Sequence, residues 1–217
     1  SGPIDIRFAE TKVTKMAKDH SFEWFENNVI DRVPASYAGA GRRVYPGFLQ
    51  LMGFASMNPE RHLKSHVDMF NSLAKGDTQA AEATKKFYDD YNAVLDMPAP
   101  YYLETIREVF QNASLARNQM VCDGERVDPS KIKNTTLLTV ECTEDDISAP
   151  GQTFPAHVLC SGLKPERHYH YEQEGAGHYG GVSGGRYREG GLPRVTAGLQ
   201  TPTCPSRRDV QRVPTCH

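Results

Sequence analysis

An α/β fold is predicted by two strand-like runs in the second half of the chain and by four helix-periodic stretches ahead of them. Residues 135–140 are a short, apolar, β-branched run, the pattern of a strand buried on both faces. Residues 164–174 are a second strand candidate, rich in His and Tyr and weak in aliphatics. Each run is followed by a polar turn that carries titratable side chains.

Taken in order, residues 11–31 set Val13, Met16, Ala17, Phe22, Phe25, Val29 and Ile30 at helical spacing, with Trp24 off that face. Residues 33–59 read as loop, punctuated by Pro34, Gly39, Gly41, Pro46, Gly47, Gly53 and Pro59. They nevertheless hold Tyr45, Phe48, Leu49, Leu51, Met52, Phe54 and Met57. An apolar segment that cannot be a long helix is expected under a lid or along a hydrophobic cleft. Residues 61–75 form the next helix through Leu63, Val67, Phe70, Leu73 and Ala74, with Gly76 as its C-terminal cap. Asp77 caps a third helix, on which Ala80, Ala83, Phe87, Tyr91, Val94 and Leu95 share a face until Pro98 and Pro100 stop it. A fourth carries Leu103, Ile106, Val109, Phe110 and Ala113. Residues 119–127 read as a hairpin around Asp123-Gly124.

After the first strand run, Glu141, Glu144, Asp145 and Asp146 crowd a turn that also holds Cys142, Thr143 and Ile147. Thr153 is then expected to cap a helix with Pro155 in its first turn, running to Gly162 and packing Phe154, Val158 and Leu159. The second strand run ends in Gly175-Ala176-Gly177-His178-Tyr179-Gly180. A histidine between glycines sits on a loop whose backbone can approach a ligand closely. An acid after one strand and a histidine after the next, 33 residues later, is the chain order of the last two triad members of an α/β-hydrolase, with the nucleophile upstream. On pattern alone, a solvated turn and a structural histidine are the better fit.

Composition sets the boundaries. The chain has 217 residues, 38% hydrophobic and 24% charged, enough for one sizeable core. A formal net charge of −2 gives no electrostatic reason to expect a nucleic-acid partner. Five cysteines (122, 142, 160, 204, 216), odd in number and without a Cys-x-x-Cys pair, suggest neither a disulfide framework nor a zinc knuckle; reduced thiols in a cytosol fit better. No run of about 18 apolar residues and no basic-then-apolar start predicts a membrane span or a secretory signal. The start at Ser1, without methionine, reads as a fragment or a trimmed piece.

Several constellations invite a functional reading and are set aside. Gly181-Val182-Ser183-Gly184-Gly185 matches G-x-S-x-G, yet an elbow serine needs a buried strand before it and a helix after it, and must precede the acid and the histidine. Ser183 follows both. His62 and His66 are spaced as helical metal ligands can be, but no third ligand accompanies them, and they read as solvated helix residues. His168 and His170 face one side of a strand in structural or surface roles. Cys142 reads as a small buried packer.

Certain motifs carry a resemblance. They are Arg42-Arg43-Val44-Tyr45-Pro46-Gly47-Phe48-Leu49-Gln50-Leu51, Gly53-Phe54, Ser56-Met57-Asn58, Phe87-Tyr88-Asp89, Val94-Leu95-Asp96, Leu137-Leu138-Thr139-Val140-Glu141, Asp145-Asp146-Ile147, Gly151-Gln152-Thr153 and Gly177-His178-Tyr179-Gly180. Over about residues 2 to 190 the chain resembles the C-terminal part of the intracellular polyhydroxyalkanoate (polyhydroxybutyrate) depolymerases. It departs from them at Cys142, where the family has glycine, and after Gly181, where Val182 and the Gly190-Gly191 pair break the pattern.

The resemblance implies the C-terminal part of an α/β-hydrolase with a helical cap insertion. Residues 1–10 then end an upstream hydrolase core, 11–130 form the cap, 131–199 return to the core with the acid and histidine, and 200–217 are a disordered or foreign tail. A plainer reading of the helices is that they cover the sheet. Core strands are expected at 1–5, 134–142 and 164–174. The implied activity is ester hydrolysis of intracellular poly(3-hydroxybutyrate) or a related polyhydroxyalkanoate, cytoplasmic and at the storage-granule surface, with granules or their oligomers as partner and no metal or organic cofactor. In the family a nucleophile, usually cysteine, attacks the ester carbonyl. Asp145, the first of the Asp-Asp pair, and His178 match the other two members, Asp146 would cap or stiffen the loop, and no residue here matches the nucleophile. An esterase of soluble short-chain esters and a non-catalytic granule-binding module are the alternatives.

Overall fold

The computed structural model describes residues 2–200 and 211–212. Apart from Gln200 and residues 211–212, the tail expected to be disordered or foreign lies outside the described residues. Helices α1 (Lys12–Asp19), α2 (Phe22–Asn28), α3 (Gly47–Met57), α4 (Pro59–Ala74), α5 (Thr78–Asn92), α6 (Ala99–Thr105), α7 (Ala156–Leu159), α8 (Gly184–Arg186) and α9 (Leu192–Gln200) alternate with strands. The strands are β1 (Asp31–Arg32), β2 (Arg43–Tyr45), β3 (Met97–Pro98), β4 (Val121–Cys122), β5 (Glu125–Arg126), β6 (Leu137–Cys142), β7 (His168–Gln173) and β8 (Gln211–Arg212). This mixture of helix and strand is consistent with the α/β class. The chain divides into two compact units, Ser21–Glu104 on one side and Ser1–His20 with Thr105–His217 on the other.

The discontinuous unit is built on β6 and β7, which pair in parallel with Leu137 opposite His168 and Cys142 opposite Gln173; β8 runs antiparallel to β7. Because strand side chains alternate, Thr139 and Glu141 share one face with His168 and His170. Cys142, Tyr171 and Gln173 lie on the other. The first face is covered by residues 151–163, with His157 of α7 bonded to Thr139. On the second face Gly181 backs on Cys142 and Gly190 on Tyr171 and Gln173, each with too little room for a β-carbon.

Two expectations for this unit are corrected. Residues 2–9 hold no strand: Ile4 and Asp5 both donate their N–H to the Gln152 carbonyl at 2.9 Å, a turn arrangement and not a ladder. Nor does Thr153 cap a helix reaching Gly162. Its hydroxyl donates to the Gly2 carbonyl at 2.8 Å, α7 is only four residues long, and Val158 is exposed. The hairpin stands as expected, with Asp123 and Gly124 both at positive φ between β4 and β5. The stretch 11–31 is broken at His20, which is extended; Thr11 and Thr14 form a capping box on α1, and Ser21 caps α2 anew.

In the unit Ser21–Glu104, β1, β2 and β3 form a small antiparallel sheet in that order. Phe25 is buried and meets Tyr102 edge-on, and Tyr102 lies 4.1 Å from Tyr45, centroid to centroid. The expected loop 33–59 contains β2 and the 11-residue α3. Gly47 is there for close approach, since a β-carbon would meet the Val94 carbonyl at 2.8 Å, and its N–H donates to Asp96. Helices α4 and α5 meet as expected: Gly76 has φ of 77°, and the Asp77 carboxylate accepts from Ala80 N–H at 3.1 Å. Helix α5 ends at Asn92, before Val94 and Leu95, because Met97 is drawn into a strand against Tyr45. Among the described residues no helix is long and apolar enough to cross a membrane.

Candidate active site

Strand β6 delivers the chain into a turn in which Asp145 N–H bonds back to the Cys142 carbonyl at 3.1 Å. Strand β7 ends beside it, and the two loops that follow are laced together. Thr143 N–H donates to Gln173 O, Glu144 N–H to Ala176 O, and Gly175 N–H to the Thr143 hydroxyl. Gly175 has φ of 61°, a conformation that glycine adopts without the steric cost of a β-carbon. Parallel strands whose loops are tied in this way hold their C-terminal side chains at fixed separation.

Asp145 and His178 meet there. The His178 Nδ1 lies 2.9 Å from Asp145 Oδ2, with the Asp145 side chain fully buried and the His178 side chain 29% exposed. The other carboxylate oxygen accepts two backbone N–H groups, from Ile147 at 3.0 Å and Ser148 at 2.8 Å. Burial alone would push this carboxyl up. The bond from His178, the Ser148 and Ile147 N–H groups and the attraction of the imidazole outweigh it, and the carboxyl sits below the ordinary 3.8. An ionised carboxylate only accepts, so Nδ1 carries a proton, and in the neutral form of the ring Nε2 is the nitrogen with the free lone pair.

Among the acids crowding this turn, burial separates the roles. Asp146 and Glu144 are exposed. The expectation that Asp146 stiffens the loop is corrected, because Asp145 itself takes the loop N–H groups. Glu141 is 1% exposed and accepts N–H bonds from Gly151, Thr153 and Phe154 at 2.8, 2.6 and 2.9 Å. Its place at a strand end, two residues after Thr139 on the same face, was visible in the sequence; the loop that folds back onto it was not.

The remaining candidates fall elsewhere. Ser183 is exposed and its hydroxyl donates to the Tyr179 carbonyl at 2.9 Å, with no strand before it and a helix of only three residues after it. His62 is not simply solvated: its ring bonds the Tyr88 hydroxyl at 3.0 Å and lies against Tyr91. Burial, then Arg61 and His66, lower its pKa. His168 and His170 join His157, which spacing did not single out, in a cluster bridged by Thr139. The Thr139 hydroxyl is 2.7 Å from His157 Nε2 and 2.8 Å from His170 Nδ1, and His157 and His168 are 3.0 Å apart at Nδ1. Burial, then the charges of His168 and His170, push His157 down to about 4, so it is neutral near pH 7. Among the described residues no group of three or more His, Cys, Asp or Glu is arranged to hold a metal.

No match was found among curated proteins or among solved structures. The family model described as the PHB de-polymerase C-terminus matches residues 1–201, which takes in both strands, the laced loops and the Asp145–His178 pair, and the chain belongs to that family.

Proposed function

We propose that this chain supplies the acid and the base of an ester hydrolase that breaks down intracellular poly(3-hydroxybutyrate) or a related polyhydroxyalkanoate. The observation that carries the reading is the 2.9 Å bond between a buried carboxylate and a part-exposed imidazole, each just past the end of one of two paired parallel strands. Membership of the depolymerase family supports the substrate. The architecture proposed is the C-terminal part of an α/β-hydrolase, with residues 11–130 as a cap insertion, and the setting is the cytoplasmic surface of a storage granule.

In this reading Asp145 holds the imidazole in the Nδ1–H tautomer and stabilises the imidazolium that forms during turnover. Nε2 of His178 takes the proton of a nucleophile as it attacks the ester carbonyl, then passes it to the leaving alkoxide. In this reading neither the nucleophile nor its oxyanion hole is assigned to a described residue of this chain, and Ser183 is set aside because it is exposed and donates its hydroxyl to Tyr179 O. The chain is to be assayed on amorphous polymer granules and on a short activated ester, first alone and then joined to a nucleophile-bearing hydrolase half. No turnover alone, and turnover on granules when joined, is the expected result. Turnover on the short ester but not on granules would move the substrate to soluble esters. Turnover by the chain alone that vanishes in Ser183→Ala would overturn the assignment of the nucleophile.

A further inference from the structure

Residues 147–154 wind between two buried carboxylates. At the start of this segment Ile147 and Ser148 donate their N–H groups to Asp145 Oδ1. At its end Gly151 donates to Glu141 Oε2, and Thr153 and Phe154 donate to Glu141 Oε1. Glu141 is rooted in β6, paired with Glu172 of β7, so it is the rigid end of the arrangement. A carboxylate 1% exposed that accepts three backbone N–H bonds is held by charge-assisted bonds, the strong class. Asp145, in contrast, leaves the strand on a turn, and its carboxylate can rotate unless both oxygens are engaged.

We infer that Glu141 is a positioning residue for the Asp145–His178 pair, acting through the backbone of residues 147–154. With Gly151, Thr153 and Phe154 pinned to β6, the segment presents the Ile147 and Ser148 N–H groups at a fixed point, and Asp145 Oδ1 must meet them there. Oδ2 is then directed at His178 Nδ1. The inference rests on the reading of Asp145 and His178 as the working acid and base. The segment has a second anchor that does not involve Glu141: Thr153 exchanges hydrogen bonds with Gly2 at 3.1 and 2.8 Å, and Gln152 bonds the Ala9 carbonyl at 2.8 Å. That anchor provides the control.

The readout is the His178 Nδ1–H proton in the nuclear magnetic resonance spectrum of the chain labelled at histidine nitrogen. A ring N–H bonded to a buried carboxylate resonates far downfield and exchanges slowly with water. In Glu141→Gln the side-chain oxygen can still accept from Thr153 and Phe154, but its amide donates and cannot accept from Gly151 N–H. The signal should broaden or its exchange accelerate by about tenfold or more. Asp145→Asn should abolish it, and Thr153→Ala, which loosens the other anchor, should leave it in place. If Glu141→Gln does not fold, Glu141→Asp keeps the charge but shortens the reach and serves the same comparison. A wild-type signal in the folded Glu141 variant, or equal loss in Thr153→Ala, overturns the inference. A signal that behaves as expected, together with turnover indifferent to Asp145→Asn in the joined enzyme, overturns instead the reading on which it rests.

Discussion

Gly181→Ala is the sharpest packing perturbation near the site. Gly181 closes the turn that begins at His178, and a β-carbon there would lie 2.6 Å from Cys142 Sγ. Ordinary contact between such atoms needs about 3.5 to 4 Å, so the overlap is roughly 1 Å. Cys142 is 0% exposed, on the last residue of β6, and has no solvent to yield into. Overpacking of this kind costs about 1–3 kcal/mol. For a chain of this size that lowers the melting temperature by about 2–4 °C per kcal/mol. Cys142→Ala alone loses a buried sulfur and should cost about 1 kcal/mol. In the double variant the new methyl occupies the space the sulfur vacates, so the two losses should fall short of additive by about 1–2 kcal/mol. Urea unfolding followed by circular dichroism, on all four proteins, measures this coupling. Strict additivity, or a Gly181→Ala protein as stable as the parent, would refute the packing argument.

Other outcomes follow from single groups. The folded His157 gives up its proton at about 4, against 6.5 when exposed, so between those values the unfolded chain binds more protons. Stability should therefore fall as pH is lowered from 6.5 to 4, by no more than about 3 kcal/mol, and a urea midpoint flat across that window would contradict the burial argument. Asp77→Ala removes the acceptor for Ala80 N–H and should cost about 1 kcal/mol, read as loss of helix signal at lower temperature. Ser183→Ala should change stability by less than about 1 kcal/mol and leave the turnover of the joined enzyme unaltered. A large fall in turnover there would reinstate the G-x-S-x-G serine.

What the sequence disclosed, and what it withheld, follows from where the information lies. Local chemistry was legible: the Asp123-Gly124 turn needs residues that tolerate positive φ, and Gly76-Asp77 joins the end of one helix to the cap of the next. The Asp145–His178 meeting was legible through chain order and resemblance, and the parallel pairing of β6 with β7 explains it. Helix α3 was hidden because Gly47 and Gly53 look like loop punctuation. Gly47 is instead required by the backbone that passes over it, and Gly53 would give a β-carbon only the Tyr45 hydroxyl at 3.8 Å. The absence of a strand in residues 2–9 depends on the Gln152 carbonyl, 148 residues from Ile4 and 147 from Asp5, which no local pattern records. Glu141 looked like one of four crowded acids for the same reason: its three donors come from a loop ten to thirteen residues on.

The most direct test of the acid–base pair compares two neighbouring aspartates. Asp145 is buried on His178, whereas Asp146 is exposed. In the chain joined to a nucleophile-bearing hydrolase half, Asp145→Asn should leave the fold nearly intact and cut ester turnover by about three to four orders of magnitude, as an amide imposes the wrong tautomer on the imidazole. Asp146→Asn should cost less than about tenfold. If both variants fold and the losses come out reversed, or Asp145→Asn turns over as the parent does, Asp145 and His178 are not the working pair.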